Sequence, residues 1–563
     1  MPRLDTIVLK LGSSVAKDER DLPLLVHEIY RHFREGRSVL AVVSAHGSTT
    51  DRLLRRVANS PTPFSDHVLA EYLARGERRA ARSLKLALDA AGLPNCLCTQ
   101  EELRFQASGP PGDADPVFVD SQILREALER TGIVIVPGFY AHDAEGRLVL
   151  LGRGGSDLSA LFLAQSIGAE CRLIKDVHGW FDRDPRDARE KSRPYLRMTF
   201  ADASKDAAPI VQSKAVRIAE SLGQPFVVAA LRRDGGTLVG AGSTVLGDPS
   251  EPPRRLRILL AGLGTVGTDV FREITRLCGE FSLERILVKR PLIPRRASVP
   301  GELLTSDPQE FLDTSADILI DLVNDPLLAE QLVHGAMKRG LHVITANKPL
   351  LARSLTDLRD RAAQSSVELR FGAAVGGVAP IIEWLQLHGH RGIVSLRGVL
   401  NGTTNFVLER MRLGASRAEA IKQARNCGLC ESSPDQDLQG RDAYDKLRIL
   451  AQILTREPVA DAFVKMKAIP PRRTPGNLLR QVATAHFRDS LPVLQVELER
   501  IPRGDPLFEL PGASNALVVE TSDGSFHCIR GRGAGGRPTA TAVLGDLLEI
   551  ARLLSFSRVG VSP

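Results

Sequence analysis

Aromatic residues are scarce in this chain of 563 residues: they make up 5%, with two tryptophans and five tyrosines. Few rings are on offer for stacking on bases, and the 74 basic against 67 acidic side chains leave a surplus of only +7, carried in short, scattered blocks. Both features disfavour a nucleic-acid surface, so no nucleic-acid partner is expected, and small anionic ligands are the better reading. Long hydrophobic runs are missing too. No stretch approaches the roughly 18 apolar residues of a membrane span, and the opening Met1-Pro2-Arg3-Leu4-Asp5 has no hydrophobic core of a signal peptide behind it. The cytoplasm, without a membrane partner, is the expected location. Seven cysteines, an odd number over this length, make no disulfide framework and fit a reducing compartment. Cys427 and Cys430 form a lone Cys-x-x-Cys with no second pair at zinc spacing, which leaves a metal or redox reading weak.

What is present is ordinary globular material, 43% apolar and 25% charged, long enough for two to four folding units. Residues 232 to 255 read RRDGGTLVGAGSTVLGDPSEPPRR, a stretch of turn formers that places a boundary near 245 to 254. Ahead of it, strand-like runs at Thr6 to Leu9, Val39 to Val43, Ile133 to Val136, Arg172 to Ile174 and Phe226 to Ala229 alternate with helical patterns such as Leu22 to Arg34 and Leu69 to Ala91. Alternation of this kind predicts an α/β fold with a mostly parallel sheet between helices. The pattern repeats from Leu256 to about Glu383, with strands at Arg257 to Leu260, Arg285 to Val288, Ile318 to Leu322, His342 to Thr345 and Glu368 to Phe371, and then gives way to an α+β texture. The expected domains are therefore 1–245, a linker at 246–254, a nucleotide domain at 255–385 and a substrate and dimerisation domain at 386–563 that returns at its end to the nucleotide domain.

Directly after the strand Ile258-Leu259-Leu260 comes Gly262-Leu263-Gly264-Thr265-Val266-Gly267, followed by a helical run from Asp269 to Arg276. The first glycine permits the tight turn, the second lets backbone approach a pyrophosphate, and the third lets helix pack on strand. The helix start then offers unpaired N–H groups to phosphate. At the end of the next strand an NAD site usually places an acidic residue, whereas this chain has Lys289 and Arg290. Two cations suit a 2′-phosphate, so NADP(H) is expected, with NAD and a merely solvated basic turn left open.

Further on, Asn401-Gly402-Thr403-Thr404-Asn405 stands between a strand and a helix expected over Phe406 to Leu413; such residues either cap a helix or bind the polar end of a ligand. In the segment from Glu431 to Lys446, Asp442 and Lys446 are four apart and share a helix face, which could equally be a surface ion pair. Together with Thr345-Ala346-Asn347-Lys348, Ala374-Val375-Gly376-Gly377-Val378-Ala379-Pro380 and Gly533-Ala534-Gly535-Gly536-Arg537-Pro538-Thr539-Ala540, these motifs resemble homoserine dehydrogenase from about residue 256 to the end, in the family's order and spacing. The resemblance implies reduction of L-aspartate 4-semialdehyde to L-homoserine, in threonine and methionine biosynthesis. It makes Lys446 the catalytic lysine and Lys348 a second lysine at the reaction centre. Asp442, Asp437 and Glu431 would hold the substrate's amino group or order the catalytic helix, with Gly402 and Thr403 also on the substrate side. Thr345, Lys348 and Gly535 would join the glycine turn at the cofactor. The chemistry is coherent, because hydride addition to an aldehyde develops negative charge on oxygen that a positioned ammonium stabilises and then protonates. One departure stands out. Gly372-Ala373 occupies the place of a frequent Glu-Ala ahead of a loop that can hold a monovalent cation, leaving the backbone of Val375 and Gly377 as the expected ligands for Na+ or K+.

The first half carries Val8-Leu9-Lys10-Leu11-Gly12-Ser13-Ser14-Val15, a strand end with a lysine and small residues suited to phosphate, and Gly152-Arg153-Gly154-Gly155-Ser156-Asp157 opening a helix over Leu158 to Gln165. With Ser44-Ala45, Gly76-Glu77 and Lys175 to Arg186, residues 4 to 245 resemble the aspartate kinase branch of the amino acid kinase family. Phosphoryl transfer from ATP with Mg2+ to the β-carboxylate of aspartate is then implied, with Lys10 for transition-state charge, Glu77 and Arg153 for aspartate, and Ser44 and Asp157 on further motif positions. The motifs are worn. Lys-Leu-Gly-Ser-Ser replaces a longer glycine loop, Ser44-Ala45-His46-Gly47-Ser48 replaces Ser-Ala-Met-Ser-Gly, and Pro209 stands where a phosphate-contacting lysine is expected. Three readings stay open: a bifunctional kinase and dehydrogenase, a dehydrogenase with a kinase-like scaffold that supports dimerisation, and a non-enzymatic amino-acid sensor, which proton-transfer lysines would not serve. No regulatory ACT domain fits between the halves, so inhibition by threonine or lysine through such domains is expected to be absent. Small-molecule substrates and a homo-oligomer, dimer or tetramer, complete the expectation. His388-Gly389-His390 lacks a third metal ligand and reads as a strand-end turn.

Overall fold

The computed structural model describes residues 5–59, 64–185, 191–205, 210–248, 254–290, 299–429, 435–459, 465–466, 468–469, 478–487, 492–533 and 535–556. The chain forms two compact units, Met1–Asp89 with Pro94–Pro252, and Ala90–Leu93 with Pro253–Pro563.

The first unit is built on runs such as Thr6–Leu11 (TIVLKL) and Ser38–Val43 (SVLAVV), apolar on both faces and buried along almost their whole length. Strands of that composition belong inside parallel sheets. Six of the nine strands form a parallel core in the order Phe226–Ala230, Glu170–Lys175, Thr6–Leu11, Ser38–Val43, Ile133–Pro137 and Cys96–Leu97. Thr237–Gly240 pairs antiparallel outside Phe226–Ala230. Helices Leu22–Arg34 and Gly155–Ile167 pack on this core, the second buried along nearly its whole length. From Thr6–Leu11 the chain first builds the sheet outward on one side, through Ser38–Val43, and later on the other, through Glu170–Lys175. The end of Thr6–Leu11 is thus a topological switch point, where ligands of open α/β sheets bind.

In the second unit six parallel strands follow the order Leu304–Thr305, Phe281–Leu287, Leu256–Ala261, Ile318–Asp321, His342–Thr345 and Leu369–Arg370, the Rossmann arrangement. The strand expected at Arg285 begins at Phe281, with a register shift against Ile258 and Leu259. Helix Thr265–Arg276 begins four residues before the expected Asp269, because the glycine motif itself supplies the first turn. A second sheet holds Val493–Arg500, Leu479–His486, Ile393–Val399, Ser514–Thr521 and Phe526–Arg532 as antiparallel neighbours, with Lys465–Met466 added in parallel at one edge. Helix Gly536–Phe556 packs against Thr265–Arg276 and the turn Gly372–Ala374. His388-Gly389-His390 corrects the expectation of a strand-end turn: helix Ile381–His388 ends there in a 3-10 turn, Gly389–Arg391, before Gly392 at φ +68° opens the next strand. Among the described residues no helix is long and apolar enough to cross a membrane.

Candidate active site

The glycine turn is held by contact, not only by flexibility. A Cβ at Gly262 would lie 2.6 Å from the Leu322 carbonyl oxygen and one at Gly267 would lie 2.1 Å from that of Gly262, while Gly264 has no described neighbour within 4 Å of that point. The first and third glycines therefore close the turn, and the second leaves the room a pyrophosphate needs. Beside it opens a pocket of about 460 Å³ lined by Gly262 to Gly267, Val288, the exposed Lys289 and Arg290, and Leu322, Val323 and Asn324. These residues fit a dinucleotide. Overpacking of backbone on backbone costs about 1–3 kcal/mol, so Gly267→Ala is expected to weaken NADPH binding about 10- to 100-fold in a fluorescence titration.

Thr345, expected at the cofactor, has its side chain in a buried network: its hydroxyl donates to Asp321 Oδ2 at 2.7 Å and accepts from the Asn347 N–H at 3.1 Å. Asn347 Nδ2 donates to the Val323 carbonyl at 2.9 Å, and its Oδ1 caps the helix Lys348–Gln364 by accepting from Leu350 N at 3.0 Å. The pocket wall thereby sets the residue that precedes Lys348. Burial pushes the Asp321 carboxyl up to about 6. Gly535, at φ +123°, leads into helix Gly536–Phe556, whose first residue abuts Thr265 of the glycine turn.

Helix Lys348–Gln364 packs on helix Arg441–Thr455, and the two lysines meet on one carboxylate. Asp442 Oδ1 lies 2.8 Å from Lys348 Nζ and its Oδ2 lies 2.7 Å from Lys446 Nζ. Lys446 also donates to the Leu400 carbonyl at 2.7 Å. Its side chain is 7% exposed, against 39% for Lys348. Asn401 works at both ends: Oδ1 accepts from Thr404 N at 2.8 Å, and Nδ2 donates to Asp437 Oδ1 at 2.7 Å and to Asp442 Oδ2 at 2.8 Å. That cap draws Gly402 to Asn405 into the helix Gly402–Arg412, ahead of the expected start at Phe406.

Electrostatics separates the two lysines. Burial lowers the Lys446 ammonium below its ordinary value, against the pull of Asp442, while the Asp442 charge raises Lys348. Burial opposes ionisation of Asp442, but the two ammoniums outweigh it and hold the carboxylate well below its usual range. Burial, and then the Asp442 charge, raises Asp437. The centre therefore combines an ammonium that burial makes readier to give up its proton with one that the carboxylate holds charged. The Thr403 hydroxyl donates to the Leu429 carbonyl at 2.7 Å, and Gly402 offers backbone alone. Glu431 lies outside the described residues.

At the cation loop, Val375 is fully buried and Gly376 and Gly377 have φ of +85° and +61°. Asp546 of the last helix accepts from Gly372 N at 2.9 Å, so a carboxylate reaches this loop from another element. Among the described residues no group of three or more His, Cys, Asp or Glu side chains is placed to hold a metal ion.

In the first unit, Lys10 and Lys175 end adjacent parallel strands and share Asp157, each ammonium 2.7 Å from one of its oxygens. Burial drives the Lys10 ammonium down to about 8. Burial works against ionised Asp157 as well, but the ammoniums hold it at about 2. Glu77 is buried, pushed up to about 7 by that burial, with Oε1 accepting from Ala45 N at 3.3 Å. Ser44 follows its strand, partly buried, and Arg153 is exposed.

Comparison with known proteins matches residues 380–548 to homoserine dehydrogenase, 262–372 to the homoserine dehydrogenase NAD-binding domain and 5–230 to the amino acid kinase family. A homoserine dehydrogenase of Corynebacterium glutamicum is 33% identical over 326 residues, 54% of this chain and 73% of the relative. One from Mycobacterium leprae is 33% identical over 324 residues, covering 53% and 73%. The chain belongs to the homoserine dehydrogenase family. A solved homoserine dehydrogenase from Thiobacillus denitrificans is 31% identical and covers 55% of this chain and 76% of its own, with a TM-score of 0.49. The protein is thus an oxidoreductase of that family with a nicotinamide-nucleotide domain, preceded by an amino acid kinase domain.

Within this homoserine dehydrogenase unit, sequence reasoning passed over Asn401 as a ligand of the acidic pair and Asn347 as the cap beneath Lys348. Both stand at helix starts, where an amide is usually explained by its own helix. Lys175, in the kinase domain, ends its strand with no local signal that marks a role.

Proposed function

We propose that the second unit reduces L-aspartate 4-semialdehyde to L-homoserine with NADPH. The observation that carries this reading is the Lys348–Asp442–Lys446 centre, in which one ammonium is buried and the other half-exposed. The bound nicotinamide would supply hydride. Lys446 donates a hydrogen bond to the aldehyde oxygen and then gives up a proton as the alkoxide forms, and its lowered pKa makes it a readier acid than a solvated lysine. Lys348, held charged, adds positive potential to the same oxygen or to the substrate carboxylate, and Asp437 and Asp442 present negative charge to an α-amino group. A direct test is NADPH oxidation followed at 340 nm with aspartate semialdehyde; absence of turnover sinks the reading.

The preference for NADPH rests on Lys289 and Arg290 at the pocket edge. One charge-assisted hydrogen bond to a 2′-phosphate contributes about 1.5–3 kcal/mol, so kcat/KM with NADPH is expected to exceed that with NADH by about 10- to 100-fold. Replacing both residues by alanine should remove most of the gap, and a wild-type preference for NADH would count against it.

A second reading concerns the first unit and is favoured by the buried Lys10–Asp157–Lys175 group. Phosphorylation of the aspartate β-carboxylate by ATP with Mg2+ would use Lys10 at the transferred phosphoryl group and Glu77 and Arg153 at the amino acid. Trapping the acyl phosphate with hydroxylamine should give aspartyl hydroxamate only when ATP is present. If none forms at high enzyme concentration, the domain is a scaffold of the dehydrogenase. The cytoplasm and a homo-oligomeric assembly, as dimer or tetramer, complete the proposal, the latter open to light scattering.

A further inference from the structure

Pairing Asp157 with Lys10 alone would leave the buried centre of the first unit neutral. The structure adds a second ammonium, Lys175, on the other carboxylate oxygen at the same 2.7 Å. The side chains of Lys10, Lys175 and Asp157 are 8%, 12% and 5% exposed. Three such charges sum to +1 in a place shielded from water. A buried net charge is unfavourable unless a counter-ion meets it. Glu77 is a further titratable group whose charge interacts with Lys10, but burial leaves its carboxyl only partly ionised at neutral pH, and its Oε2 is buried with no hydrogen-bond partner among the described residues. The deficit is therefore one of anion.

Position fits an anion too. Lys10 lies opposite Leu173 and Lys175 opposite Ala230 in the parallel ladder, so both side chains rise from the same end of the sheet, at its switch point. Gly12 keeps the next turn clear, since a Cβ there would stand 2.8 Å from Lys10 Nζ.

We infer that Lys175 is a second phosphoryl-binding cation of this unit, holding with Lys10 the transferred group of a nucleoside triphosphate, while Asp157 spaces the two ammoniums. This rests on the phosphotransfer reading above. In the step, a β-carboxylate oxygen of aspartate bonds to the γ-phosphorus. The bond from that phosphorus to the bridging oxygen breaks, its electron pair leaving on the nucleoside diphosphate. No proton moves and nothing is oxidised. The charge spread over the equatorial oxygens is what two cations serve better than one.

The test compares full-length wild type with Lys175→Met and Lys175→Arg, reading hydroxamate formation from ATP and aspartate, displacement of a fluorescent ATP analogue, and thermal unfolding. Expected are a fall in kcat of about 30-fold or more for the methionine variant, a KM for aspartate within about twofold of wild type, and partial recovery with arginine. An active wild type with an equally active Lys175→Met overturns the inference and spares the kinase reading. Equal losses in both variants, tracking a lowered melting temperature, overturn it in favour of a structural ion pair. A wild type that neither binds the analogue nor forms hydroxamate removes the kinase reading and this inference with it.

Discussion

Lys446→Met is expected to lower kcat for semialdehyde reduction by about 10²–10⁴-fold, the usual worth of a positioned general acid, with NADPH affinity nearly unchanged. The side chain is 7% exposed and bonded to Asp442 and the Leu400 carbonyl, so methionine fills much the same volume while removing the titratable ammonium. The pH dependence has a definite sign. Burial lowers the Lys446 ammonium, so reduction, which needs the protonated form, falls as pH rises through that lowered value. Oxidation of homoserine, which needs the free amine as base, rises over the same interval. Rate profiles in both directions check this, and a reduction rate that climbs into the alkaline range in the wild type would sink the assignment of Lys446 as acid.

Asp442→Asn is expected to be nearly as damaging by a different route. Among the described residues its carboxylate is the one negative group in contact with both ammoniums, and an amide keeps the shape but not the charge. Lys446 then loses the attraction that opposes its burial while keeping the repulsion from Lys348, so its pKa falls further; Lys348 loses the charge that raises it. The alkaline limb of the reduction profile should move to lower pH, with kcat at neutral pH down by about 10²-fold. Breaking a buried pair by removing one partner costs about 3–5 kcal/mol, so the melting temperature should drop as well. The depressed Asp442 carboxylate contributes stability in full above the unfolded carboxylate value, about 3.9, and loses it only as pH falls toward the lower folded one. The acid stability that the wild type keeps below pH 4 should therefore shrink in the variant. An unshifted rate profile would show that Asp442 holds the helix and not the proton.

Much of the architecture could be read from residues close together in the chain. The strand, glycine turn and helix from Leu256 to Arg276 lie in one continuous segment, each glycine with a local duty, and buried parallel strands such as Thr6–Leu11 announce themselves as apolar runs. Elements with polar cores were harder. Leu479–His486 is not legible because Arg480 and Gln481 are buried within it, Arg480 bonded to Asn405 and the Leu510 carbonyl, so neither alternation nor an apolar run marks the strand. The start of the helix at Gly402 lies ahead of the expected one because it is set by the Asn401 cap, a contact that residue counting does not reveal.

The sequence by itself determined the two α/β units and the nucleotide turn, since these depend on spacing within a turn or two of chain, while Lys348 and Lys446 stood out through the resemblance to homoserine dehydrogenase and not through their spacing. The tertiary structure alone decided which ammonium is lowered by burial and which is raised by the shared carboxylate. That choice arises where helices Lys348–Gln364 and Arg441–Thr455, far apart in the chain, press two ammoniums onto one carboxylate and bury one more deeply than the other. Desolvation and Coulomb interaction act through space, so no local pattern of residues encodes their balance.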